Sequence, residues 1–254
     1  MALDKLVDSA QLDSDLTSVA NAIRTKGGTS ASLAFPSEFV SAIEAIETGG
    51  GGTTPEVPTG YTQLKYVESS GTQIINTGFA PTLETKLQVT GVRMPAQTGY
   101  NRIAGCNNPV VYIPMANGVY FTNFYCRFGN SSENTISNPL PAGGTSEPPT
   151  ITVDKTQATF EADGATKTQT TGATGMGTVD PNTRIALFGS YNGSSVHQFT
   201  IARIFRAKIW DDGVLVRDFV PAMRNADEEI GLFDIVNVVF YTNAGTGVFI
   251  GGAY

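Results

Sequence analysis

A mainly β chain, an antiparallel sandwich or barrel with a small helical module at its N-terminus, is the fold class the sequence predicts, and three observations predict it. Short β-rich runs recur from Tyr61 to the end with no helical periodicity between them. Three dipeptides that readily take paired positive φ angles, Asn117-Gly118, Asp163-Gly164 and Asp212-Gly213, sit between or beside such runs. Only the segment 1–48 places apolar residues at helical spacing. About a dozen strands at short intervals are the pattern of two packed sheets or a closed one.

Size and charge narrow the function classes. A chain of 254 residues has room for one large β domain with its own core and an appendage. Its net charge of −7, from 16 basic and 23 acidic residues, gives no electrostatic footprint for nucleic acid. Charged residues are only 15% of the chain and glycines number 28, a balance that suits a turn-rich β surface better than a metabolic enzyme. The opening MALDKLVDSAQLDSDL has neither a basic n-region nor an apolar h-region, and no run approaches the roughly 18 apolar residues of a membrane span. The expectation is a protein without an export signal of its own and without membrane insertion.

Within 1–48, Leu12, Leu16, Val19, Ala20 and Ile23 fall on one helical stripe, with Asp13 and Asp15 near its positive end and Arg24 and Lys26 near its negative end. Gly27 and Gly28 stop it. A second helix is predicted from about Pro36, carrying Phe39, Val40, Ile43 and Ile46 on one face and ending at Thr48. So small a pair cannot bury both stripes well, which makes these eight stripe residues, Ala20 aside, the expected attachment or oligomerisation surface. The stretch 49–60, GGGGTTPEVPTG, reads as a linker, flexible and then stiffened by proline. The β domain is therefore placed at 61–254.

Strands follow in order. Two runs flank Ser69-Ser70-Gly71 within 61–79, another covers 83–94, and a hairpin about Asn117-Gly118 joins 110–115 to 119–128. After the Gly/Pro-rich stretch 138–149, Ile151, Val153, Ala158 and Phe160 alternate with polar residues ahead of Asp163-Gly164. A short strand over 184–188 precedes GSYNGSSVHQ, read as a polar loop, and strands over 234–241 and 247–250 close the chain. Between them lies the strongest signal, TIARIFRAKIWDDGVLVRDFVP. With Asp212 and Gly213 as the loop, one face carries Phe205, Ala207, Ile209, Val216 and Val220, and the other Arg206, Lys208, Trp210, Leu215, Arg217 and Phe219. That register opposes Lys208 to Arg217 and puts Asp218 on the apolar face, two tensions that a longer loop would re-pair.

Little in the sequence supports catalysis. His197, the only histidine, stands in a Gly/Ser-rich loop with no nucleophile arrangement around it. Glycoside hydrolysis needs two carboxyls across a sugar, yet Glu161, Asp163, Asp211 and Asp212 flank turns and Asp227, Glu228 and Glu229 form a loop cluster. One histidine and two cysteines cannot build a zinc site, and no cofactor is expected; Asn107, Asn108 and Asp180 could offer oxygen to calcium, although their spacing singles out no site. Cys106 and Cys126 could pair or sit as buried thiols. For binding, the candidate residues are Trp210, Tyr191, Asn192, His197 and Arg206, because sugar recognition combines an aromatic platform with planar hydrogen-bonding groups. The plainer reading is that Trp210 anchors a subunit or sheet interface.

The segment LDSDLTSVANAIRTKGGTSASLAFPSEFVSAIEAI resembles a short helical segment that recurs in virion structural proteins of phages and prophages of Gram-positive bacteria. YVESSGTQIINTGF, KIWDDGVLVRDFVPA and GLFDIVNVVFYTNAGTGVF resemble concanavalin A-like or laminin-G-like jelly-roll modules of phage and Gram-positive surface proteins. The resemblances imply a non-enzymatic virion protein at the tail or capsid surface, a tail fibre, head fibre or receptor-binding protein. Its jelly roll would bind host surface glycans, with other virion proteins as partners and a homotrimer as the expected assembly. A head-fibre or decoration protein without glycan recognition is the alternative they leave open.

Overall fold

A computed structural model describes residues 9–27, 39, 56–93, 101–107, 111–115, 123–132, 134–137, 147–193 and 195–253. The chain divides into two compact units, Met1–Pro55 and Glu56–Tyr254. In the first, helix α1 spans Ser9–Gly27 and ends at the predicted glycine. Ala20 is buried, Leu16 half-buried, and Leu12 and Val19 exposed; Ile23 belongs to α1, and its side chain is outside the described residues. Phe39 is helical and buried. Val40, Ile43 and Ile46, with the rest of the second predicted helix and the Asn117-Gly118 turn, lie outside the described residues.

The second unit is an antiparallel β-sandwich. In chain order its strands are β1 (Tyr61–Gln63), β2 (Tyr66–Ser70), β3 (Ile75–Asn76), β4 (Thr85–Arg93), β5 (Asn101–Asn107), β6 (Val111–Met115), β7 (Asn123–Phe128), β8 (Asn134–Ser137) and β9 (Thr150–Val153). There follow β10 (Gln157–Ala162), β11 (Ala165–Thr170), β12 (Ala186–Leu187), β13 (Ser190–Asn192), β14 (Ser195–His197) and β15 (Ile201–Asp211). The last are β16 (Val214–Arg224), β17 (Glu229–Asp234), β18 (Val239–Tyr241) and β19 (Ile250–Gly252). The larger sheet runs β11-β10-β9-β4-β15-β16-β17-β18, with β1 beside β16 and β2 joining β15 to β19. The smaller runs β14-β13-β5-β6-β7-β8, with β12 bridging β3 and β5.

Alternation builds the core between them. Leu87, Val89, Ile151, Val153, Ala207 and Ile209 of the larger sheet meet Ile103, Cys106, Val111, Cys126 and Phe128 of the smaller in one buried cluster. Cys106 and Cys126 are both buried and not joined in a disulfide, and burial pushes the Cys106 thiol up to about 12.

The β15–β16 hairpin turns at Asp212 and Gly213, whose φ angles of 49° and 76° match the predicted turn type. Beyond Trp210↔Leu215, however, Val216 is an extra residue, so Ile209 faces Arg217 and Lys208 faces Asp218. This bulge corrects the expected register: it resolves the Lys208–Arg217 repulsion without a longer loop. It also exchanges two side chains. Phe219 enters the main core, and Val220 turns to a smaller cluster with Val57, Ala222 and Phe233. Phe205 departs from its expected face too; the ladder with β4 shifts between Ile204 and Arg206, and the Phe205 ring meets Tyr66 at 5.6 Å.

Two more expectations are corrected. GSYNGSSVHQ is not a loop but the β13–β14 hairpin, held because Tyr191 and Asn192 pair in parallel with Cys106 and Asn107. The stretch 234–241 is not one strand: β17 ends at Asp234, whose carboxylate accepts from Val236 N and Asn237 Nδ2 and bends the chain into β18.

Candidate functional site

Trp210 stands at the turn end of β15, on the face of the larger sheet that points away from the core, since its neighbours Ile209 and Asp211 alternate with it. Its ladder partner on β4 is Lys86, whose ammonium lies 4.1 Å from the centre of the indole. The two form one end of an open cleft of about 190 Å³, walled by Glu84, Asp154, Lys155 and Thr156. That is below the roughly 300 Å³ of pockets that engulf a drug-sized ligand, so the shape fits the edge of a molecule lying on the surface.

Local chemistry fixes each wall. Asp154 Oδ1 accepts from the Thr156 and Gln157 amides at 2.7 and 2.9 Å and from the Thr156 hydroxyl at 2.6 Å, which makes the β9–β10 turn. Lys155 Nζ donates to Glu84 Oε1 at 2.6 Å and also reaches Oε2. Thr82 and Thr85 hydroxyls donate to Asp211 Oδ1 and tie the segment before β4 to the end of β15. The result is a rim of carboxylate, ammonium and hydroxyl groups around a partly exposed aromatic ring.

The other sequence candidates are not gathered around Trp210. Arg206 shares its face but is occupied: Nε and Nη2 donate to Asp218 at 2.8 and 2.9 Å, and Nη1 and Nη2 donate to Glu56 at 2.9 and 2.7 Å. Its pKa rises chiefly through the Asp218 hydrogen bonds. Tyr191, Asn192 and His197 lie on the β13–β14 hairpin of the other sheet. Tyr191 is half-buried, and burial raises its pKa against a hydrogen bond with Asn76; Asn192 and His197 are exposed. Phe188 and Gln198, with φ of 67° and 56°, bracket that hairpin, and their strained backbones aim it beside β5.

Among the described residues no group of three or more His, Cys, Asp or Glu could hold a metal ion. Asn107 Oδ1 accepts from Arg102 at 2.6 Å and its carbonyl accepts from Thr183, while Asp180 Oδ1 accepts from the Asn182 amide; Asn108 lies outside the described residues. The cleft residues that sequence reasoning did not single out are Lys86, Glu84, Asp154, Lys155 and Thr156. They come from two segments far apart in the chain, 84–86 and 154–156, and no local motif links these to each other or to Trp210.

No family model matches the chain, and no curated protein matches it. Among solved structures, it is similar to a protein from Bacteroides ovatus provisionally described as carbohydrate-binding, at 12% identity and a TM-score of 0.51, over 76% of this chain and 62% of that one. The chain therefore spans less than two thirds of that neighbour's length. It is also similar to the full extracellular region of zebrafish Gpr126/Adgrg6, at 14% identity and a TM-score of 0.44, over 74% of this chain and 27% of that one. The likeness to the Bacteroides ovatus protein concerns the fold, a β-sandwich.

Proposed function

We propose that this is a non-enzymatic glycan-binding protein, and that it serves as a fibre or receptor-binding component of a bacteriophage virion. The observation that carries the binding is the partly exposed indole of Trp210 at the mouth of a shallow cleft rimmed by hydrogen-bonding groups. An aromatic plane receives the apolar face of a pyranose, and the rim groups take its hydroxyls. The carbohydrate-binding description of the Bacteroides ovatus neighbour supports this reading. The virion setting rests on the resemblance of the segment 12–46 to phage structural proteins of Gram-positive hosts. A non-enzymatic role is supported by the cleft carboxylates, since Glu84 is engaged by Lys155 and Asp154 by its own turn. Assembly as a trimer would let weak single sites gain avidity.

The test is saturable binding of the fluorescently labelled full chain to Gram-positive host cells. Binding that is competed by released wall polysaccharide and lost on Trp210→Ala supports the reading. Binding that survives Trp210→Ala removes the cleft from it, and absence of binding across hosts removes recognition.

A second reading has its own observation. Val236, Val238 and Val239 about the β17–β18 turn are 41%, 68% and 43% exposed, an apolar group suited to a subunit contact. It favours a head-fibre or decoration protein, for which affinity for capsid or tail subunits, without cell binding, is the expected result.

A further inference from the structure

The face of the larger sheet that carries Trp210 continues away from the cleft across β4, β9, β10 and β11. One row of ladder partners reads Lys208, Gln88, Thr152, Thr159, Thr168. The side chains are bonded laterally: Gln88 Nε2 donates to Thr152 Oγ1 at 3.0 Å, and in the next row Thr90 and Thr150 hydroxyls lie 2.8 Å apart. Gln88, Thr152 and Thr159 are half-buried and Thr168 is exposed, whereas Leu87, Val89, Ile151 and Phe160 between them point into the core. Threonine is a favoured strand residue; the row beyond Lys208 presents hydroxyls and an amide and no charged side chain.

Several charges bordering this face are neutralised in place. Arg206 is held by Asp218 and Glu56, Lys208 lies 3.6 Å from Asp218, and Lys155 pairs with Glu84. Lys86 stands at the cleft end with its ammonium on the Trp210 ring, and exposed Glu161 follows Thr159 on the same face; along the row itself a ligand meets groups that both donate and accept.

Resting on the glycan reading of Trp210, we infer that the site is extended: it takes an uncharged linear polysaccharide, one end stacked at Trp210 and the chain lying across the strands toward β11. Four strand spacings cover about 19 Å, the length of a short oligosaccharide. Threonine and glutamine suit the task because their hydroxyls and amide exchange hydrogen bonds with sugar hydroxyls, and the β-branched threonines keep few rotamers to lose on binding.

The experiment uses the full chain and titrates β-linked glucose and N-acetylglucosamine series from monosaccharide to hexasaccharide, with a polyuronate as the charged arm. Three proteins are compared: the parent, Trp210→Ala, and the triple variant Thr152→Val, Thr159→Val, Thr168→Val, which keeps side-chain shape and strand preference. The expected result is affinity that rises with length in one of the neutral series. The triple variant should lose about tenfold on the longest chain and keep monosaccharide binding, and Trp210→Ala should lose both. Length-independent affinity, an unaltered length gain in the triple variant, or preference for the polyuronate overturns the extended site while leaving the Trp210 cleft standing. Binding unchanged by Trp210→Ala, or no binding to any arm, overturns the parent reading and this one with it.

Discussion

Replacing Asp218 by asparagine is the sharpest test of how the larger sheet is held. The carboxylate is 5% exposed and receives two hydrogen bonds from Arg206, with Lys208 at 3.6 Å. Removing one partner of a fully buried ion pair costs about 3–5 kcal/mol, while fully exposed pairs are worth about 0–1 kcal/mol. Here the carboxylate is buried but Arg206 and Lys208 are 32% and 27% exposed, so water and Glu56 recover part of the loss. The expected destabilisation is about 2 kcal/mol, between those limits. In urea unfolding followed by the fluorescence of the single tryptophan, this lowers the midpoint by about 1 M with the slope unchanged. Arg206→Met in the Asp218→Asn background should then cost less than it does alone, because the two changes share one interaction. A loss below about 0.5 kcal/mol, or strict additivity, would refute the reading that Asp218 holds Arg206 and Lys208 on this face.

Other outcomes follow from the same structure. Gln73→Leu should cost about 2 kcal/mol and speed amide exchange over 243–249, since the buried amide accepts from Ser69, Ser70 and Thr72 and donates to the Val248 carbonyl; unchanged exchange would refute it. Val238→Gly should raise the unfolding midpoint, gaining up to about 1 kcal/mol, because a β-branched residue at φ 57° is strained and this one is 68% exposed. Cys106 is protonated when folded up to about 12 but ionises at its ordinary value of 9.0 when unfolded, so the unfolded chain binds fewer protons between those pH values. Stability should be full below that window and fall through it by at most about 1.4 kcal/mol per pH unit, a component that Cys106→Ala removes.

Turn chemistry made much of the β domain legible. Asp163-Gly164 and Asp212-Gly213 take the positive φ angles their types favour, and the alternation of Ile151, Val153, Ala158 and Phe160 is the alternation of burial. Register was harder, because a bulge leaves no mark of its own in the sequence. What it leaves is a conflict, here Lys208 against Arg217 and Asp218 among apolar residues, and the conflict identified the place without the remedy. The β13–β14 hairpin was read as a loop because its residues are small and polar; long-range pairing with β5, not propensity, makes it strand. The motif YVESSGTQ, carried by resemblance, is accounted for by a structural latch: Gln73 closes the turn after β2 and holds the C-terminal segment.

The site was legible only in part, and its least legible member bears most on the mechanism. Trp210 announces itself as an outward aromatic, but that Lys86 covers its ring depends on the β4–β15 pairing across more than a hundred residues of chain. A sugar stacking on the covered side has to displace the ammonium. A cation–π contact at a partly exposed ring is worth about 0.5–1 kcal/mol, and the lysine regains hydration and rotamer freedom as it leaves. The lysine contact is therefore a light one. In the proposed function Lys86→Ala thus removes the competitor: cell binding of the full chain should be retained or tightened, whereas loss of binding comparable to that of Trp210→Ala would make the ammonium a ligand-holding group and the indole merely its support.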